Sequence, residues 1–203
     1  MTSAPRRIVT GHDATGTSVV LSDGPVPVTR QIPEDGVAFH EVWNTSGAPA
    51  PIAAAEDEPT RRELAVPPPP RGTKIRINEF APGFLNEAGL QSPVHRTESV
   101  DYGIVLEGEI TLVLDDSEVT LGAGDIVVQR GTDHAWANRG TTTAKVVFVL
   151  VDGAFDQTLL DTLQAGAVEG LMHGGPKGLR RSVVRLGRPI HSTAMTAARS
   201  VRM

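Results

Sequence analysis

The chain has 203 residues, 39% of them apolar and 21% charged, with a net charge of −5; that is the balance of a globular protein large enough for one domain with a substantial core. It has no cysteine, which excludes disulfides and thiolate chemistry and leaves only nitrogen and oxygen ligands for any metal. No apolar run approaches the ~20 residues that span a bilayer, and no apolar stretch follows Arg6 and Arg7 as in a signal peptide; a cytoplasmic protein without a membrane partner is expected.

Residues 1–46 read as short strands between turns. Arg7–Thr10 and Thr17–Leu21 are β-like runs separated by Gly11 and Gly16, Ser22-Asp23-Gly24-Pro25 reads as a turn, and Val37–Trp43 alternates as a strand. These segments are expected to pack on, or extend, a barrel. Residues 47–72 hold seven prolines, four of them consecutive at Pro67–Pro70. Proline has no N–H to give a ladder, so this is expected to be a long surface loop with polyproline II character and one helical turn. Strand character resumes at Thr73–Asn78 and runs through close-spaced turns to about residue 153, the spacing of an antiparallel barrel or sandwich and too tight for crossover helices. Within 154–166, Leu159, Leu160 and Leu163 form the apolar stripe of the one expected helix, which Gly166 stops.

Charge is uneven along the chain. Residues 166–203 carry seven Lys/Arg against a single acid, Glu169. The basic residues of 167–203 are scattered among glycines with no aromatic to stack on bases, so this tail reads as a poorly ordered extension and nucleic acid is not an expected partner.

Two patterns carry the chemistry. The first is Gly89-x5-His95-x-Thr97-x3-Asp101-x6-Gly108. The second runs from Gly124-Asp125 through Gln129 to His134-x3-Asn138. Together, over about residues 73–151, they resemble the paired motifs of the cupin superfamily. The resemblance implies an all-β fold, an antiparallel cupin or jelly-roll β-barrel with N-terminal extension strands and one C-terminal helix. It also implies a site in the barrel mouth, a homodimer, and a small-molecule ligand or substrate.

Most metal-binding cupins have His-x-His, then Glu, then His. Here Thr97 stands for the second His and Asp101 for the Glu. The resemblance therefore implies one divalent metal (Fe, Mn, Zn or Ni) on His95, Asp101 and His134. Strand alternation gives Thr97 the His95 face, and gives Trp136 and Asn138 the His134 face. With Gln129, these are the expected substrate contacts. Glu98 and His40 are the candidate proton-transfer groups. The expected function is a metal-dependent enzyme acting on a small oxygen-rich molecule by dehydration, isomerisation, decarboxylation or dioxygenation. The alternative is a binding barrel without catalysis.

Overall fold

The computed structural model describes residues 4–165 and 171–172. The remaining tail residues, and with them His173 and His191, lie outside the described residues. In chain order the strands are β1 (Arg6–His12), β2 (Ser18–Pro25), β3 (Val28–Ile32), β4 (Val37–Thr45), β5 (Thr73–Phe80), β6 (Arg96–Thr97), β7 (Ser99–Glu107), β8 (Glu109–Val113), β9 (Glu118–Gly122), β10 (Ile126–Arg130), β11 (Ala135–Ala137) and β12 (Ala144–Asp152). The helix α1 (Gln157–Ala165) follows, and then β13 (Leu171–Met172). Among the described residues α1 is the only helix, and none is long and apolar enough to cross a membrane.

Six strands in the order β10-β7-β12-β5-β4-β3 form the larger sheet, and β11-β8-β9 form the smaller one. All these pairings are antiparallel. The fold is an antiparallel β-barrel of jelly-roll type. β3 and β4 extend the main sheet, while β1 and β2 form a separate hairpin. Arg7 ties that hairpin down: its guanidinium donates to the Val42 carbonyl at 3.0 Å and pairs with Glu58 at 2.6 Å.

The expected turn at Ser22–Pro25 is instead the second half of β2. A bulge between Val9 and Thr10 restores register, and Gly24 sits opposite Arg7. The turn falls at Asp13–Thr17, where the Asp13 carboxylate accepts from the amides of Thr15 and Thr17. No helical turn forms in residues 47–72. The helix begins at Asp156, whose carboxylate caps the Leu159 amide at 2.8 Å.

The core lies between the two sheets. Phe80, Val105, Ile110, Leu112, Val146 and Leu150 are buried there, and Trp136 meets Phe148 edge-on with centroids 5.3 Å apart. β5 is unusual: its inward face is Lys74, Arg76, Asn78 and Phe80, all buried, while Ile75 and Ile77 take the half-buried outer face. A strand that turns its charged residues inward needs something polar inside the barrel, and the site supplies it.

Candidate functional site

The backbone itself brings the two histidines together. Residues 91–95 run antiparallel to 134–138: the amides of Gln91 and Ser92 both reach the Trp136 carbonyl, and Ser92 Oγ accepts from the Trp136 amide at 2.9 Å. At the end of this ladder His95 and His134 exchange both amide–carbonyl bonds, at 2.9 and 3.0 Å. Their rings face each other with centroids 4.3 Å apart. On the adjacent residues, Arg96 and Asp133 form an ion pair that braces the same rung.

Each imidazole is fixed in one tautomer. His95 Nδ1 is 3.0 Å from the Pro93 carbonyl, and His134 Nδ1 is 2.9 Å from the Thr132 carbonyl. A carbonyl only accepts, so each Nδ1 carries the proton and each Nε2 keeps its lone pair. Burial drives the His134 pKa down to about 3, helped by the neighbouring His95 and by Arg76, with the Thr132 bond opposing. Burial also lowers that of His95. Both rings are therefore neutral near pH 7, and both present an unprotonated Nε2.

The pair lines a cavity of about 240 Å³. Its polar wall includes Arg76, Thr97, Asp101 and Gln129, and its apolar wall includes Phe39, Phe80, Trp136 and Phe148. Arg76 lies beneath the Phe39 ring, 4.5 Å from its centroid. It is 5% exposed, and among the described residues its Nε and Nη1 have no hydrogen-bond partner. Burial works against its charge, while Glu41 and Asp101 support it. Gln129 Nε2, also buried, is likewise without a partner. Donors left unsatisfied inside a cavity are a standing cost unless a ligand oxygen meets them.

Asp101 lies in the same cavity but is otherwise engaged. Ser99 donates to its Oδ1 at 2.6 Å, and Thr97 Oγ1 is 3.3 Å from Oδ2. Burial pushes its carboxyl above the usual carboxylate range, against the pull of Ser99, Thr97 and Arg76. Among the described residues no three His, Cys, Asp or Glu side chains converge as a metal-holding group. Of the three expected ligands, His95 and His134 lie side by side. His95 and His134 fit a divalent ion, being neutral, with free Nε2 atoms and Nδ1–H groups anchored on carbonyls. Asp101 does not join them: the hydroxyls of Ser99 and Thr97 occupy its oxygens.

Three further expectations need correction. His40 does not reach the cavity: it follows Phe39 on β4, so alternation turns it to the other face, where Nδ1 meets Thr29 Oγ1 at 2.9 Å and Nε2 lies 3.5 Å from Glu79. Glu98 is also absent from the cavity lining; its carboxylate accepts from the Phe155 amide at 3.0 Å and ties down the segment before α1. Asn138 falls past the end of β11, outside the cavity. Its Nδ2 donates to the Phe80 and Thr142 carbonyls at 2.7 and 2.8 Å, and its Oδ1 accepts from Gly140. Asn138→Ala would strand these buried groups, at a cost of about 2–3 kcal/mol. The expected result is a Tm lower by roughly 5–10 °C in thermal melts, with ligand affinity in the folded protein unchanged.

Thr97, Gln129 and Trp136 do line the cavity. Tyr102 points outward and is exposed. Gly103 is inward: an added Cβ there would lie 2.8 Å from Val127 and 3.1 Å from Phe148, so side chains of the neighbouring strands occupy its space. Arg76, Phe39, Leu64 and Val66 were not anticipated. The alternation of Lys74, Arg76 and Asn78 against Ile75 and Ile77 puts Arg76 on one face with its neighbours but, by the usual rule, points the isoleucines, not Arg76, inward.

A small antiparallel barrel with paired histidines at a ligand-sized mouth defines the class. Residues 84–150 match the Cupin domain family. The chain is 38% identical over 183 residues to the Phomopsin biosynthesis cluster protein C' of Diaporthe leptostromiformis, covering 86% of this chain and 87% of that one. It is 36% identical to the cupin-domain-containing oxidoreductase fogC of Aspergillus ruber, over 72% of this chain and 71% of that one. To the cupin-domain-containing oxidoreductase virC of Hypocrea virens it is 32% identical, over 72% and 75% respectively. The chain belongs to the cupin-domain family.

Proposed function

We propose that this protein is a cupin enzyme acting on a small, largely apolar molecule that carries an anionic or enolic oxygen. Arg76 anchors that oxygen, and His95 with His134 seat a divalent metal (Fe, Mn, Zn or Ni). The observation that carries this reading is the pairing, in one cavity, of two neutral imidazoles with free Nε2 atoms and a buried guanidinium with two unpartnered N–H groups. The oxidoreductase names of two relatives, and the biosynthesis-cluster name of a third, support an enzyme of small-molecule metabolism.

The division of labour follows from the residues. Arg76 and Gln129 bind and orient the oxygen, because their buried N–H groups have no other acceptor. Phe39, Trp136 and Phe148 flank the apolar part and exclude water. A metal held by the imidazoles would act as a Lewis acid on a bound carbonyl or enol oxygen. Asp101, its carboxyl biased toward the protonated form by burial, is placed to hand a proton to, or take one from, a ligand in the same cavity. Dehydration and isomerisation both use such a proton transfer beside a polarised carbonyl.

Binding without turnover is the second reading, favoured by the engagement of Asp101 with Ser99 and Thr97 rather than with the histidine pair. Elemental analysis of tag-free wild type beside His95→Ala and His134→Ala tests the metal. Near-stoichiometric metal in wild type, lost in both variants, is expected. Wild type that stays metal-free after reconstitution with each of the four ions would leave the binding barrel as the better account.

A further inference from the structure

The proline-rich segment before β5 takes part in the cavity rather than passing over it. Leu64 and Val66 line the cavity that holds the histidine pair. Ala65 between them, and Arg62 and Glu63 before them, line a second cavity, of about 200 Å³. Residues 62–66 therefore run between the two spaces, and over 63–66 successive residues line one and then the other. Two cations hold this segment, a buried lysine and a partly exposed arginine. The Lys74 ammonium donates to the Ala65 carbonyl, and the Arg30 guanidinium donates to the Arg62 carbonyl. Lys74 lies two residues before Arg76 on β5, on the same inward face, and is 5% exposed.

We propose that residues 62–66 are the specificity wall of the ligand cavity: Leu64 and Val66 set how long an apolar group is accepted, and Lys74 is a positioning residue that holds them there through Ala65. This rests on the reading that the cavity with Arg76 is the ligand site. It assigns the substrate class further, as an oxygen-bearing head on the Arg76 side with an apolar tail ending against Leu64 and Val66. Beyond the wall lies enough room for several more carbons, so moving the wall lengthens the permitted tail rather than destroying the site.

Two ladders of probes test this by calorimetry: 4-alkylbenzoates and neutral 4-alkylphenols, each from methyl to heptyl. In wild type, affinity should rise about fourfold per methylene and then stop rising where the tail meets the wall. In Leu64→Ala and in Lys74→Met that limit should move outward by about two carbons, with the methyl members unchanged within about twofold. Lys74→Arg, which keeps a cationic donor, should retain the wild-type limit. Backbone amides of residues 61–66 should exchange faster with deuterium in Lys74→Met and not in Lys74→Arg. Leu64 is half exposed, so its variant keeps the test open if Lys74→Met does not fold. Ladders that bind with the same limit in every variant would overturn the wall and leave the ligand site standing. If no member of either ladder binds wild type, both fall. Phenols that bind where benzoates do not would remove Arg76 as the anchor and leave the wall intact.

Discussion

Arg76→Met is expected to lower the affinity for benzoate by about thirtyfold or more, because truncating one partner of a buried, hydrogen-bonded charge pair costs roughly 2–5 kcal/mol. Calorimetry with benzoate and with its neutral analogue benzamide separates charge from shape: benzamide binding should change little. Arg76→Lys keeps the charge but loses the planar fork, so an intermediate loss of about tenfold is expected. The effect is large because Arg76 is nearly inaccessible and two of its donors have no partner in the barrel. The loss of Arg76 also removes the cation that supports ionisation of Asp101. Any pH-dependent step that uses this carboxyl should therefore shift to higher pH in Arg76→Met. Equal wild-type affinities for benzoate and benzamide would remove Arg76 from the binding role.

The second large effect is acid sensitivity of the metal-free protein. The His134 pKa lies near 3 in the fold, against about 6.5 in an unfolded chain. Between these values the unfolded state binds more protons, so stability rises with pH. It is complete above about pH 6.5 and is lost progressively as pH falls toward 3. Each unit of depression is worth about 1.4 kcal/mol, so His134 alone accounts for several kcal/mol, and His95 shifts in the same direction. Urea unfolding of EDTA-treated protein at pH 4, 5, 6 and 7.5 should show this slope, and His134→Gln should flatten it. A bound divalent ion acts oppositely, adding about 2.7 kcal/mol at a hundred times its Kd. That gain should be absent in His134→Gln. A wild-type slope no steeper than the variant's would show that the ring is not held neutral by burial.

What could be read from the chain depends on how far each feature reaches. The barrel and the histidine pair were legible, because both motifs are local and backbone pairing over 91–95 and 134–138 follows from them. The facing of Asp101 was also legible by alternation, but not its engagement with Ser99 and Thr97, which depends on side-chain reach. His40 was misplaced because the face a strand shows inward is fixed by its neighbour: β4 pairs with β5 across a bulge between Glu41 and Trp43. Asn138 was misplaced because alternation ceases to apply where β11 ends. Arg76 was hidden by the usual rule that isoleucines go inward, which β5 reverses. Leu64 and Val66 were out of reach of any local rule, since a proline-rich segment carries no periodicity that says what it covers.

The mutual backbone bonds of His95 and His134 have a consequence for how this barrel can change over time. The placement of the two imidazoles is set by the strand ladder and by the Pro93 and Thr132 carbonyls on the same two segments. The features that choose a ligand come from other stretches of chain: Arg76 and Phe39 from two strands of the larger sheet, Leu64 and Val66 from the segment before β5. On the proposed reading, reactive centre and selectivity are thus encoded separately. An exchange of residues 60–70 between relatives should transfer ligand preference as a module, with the chemistry of the pair carried along unaltered.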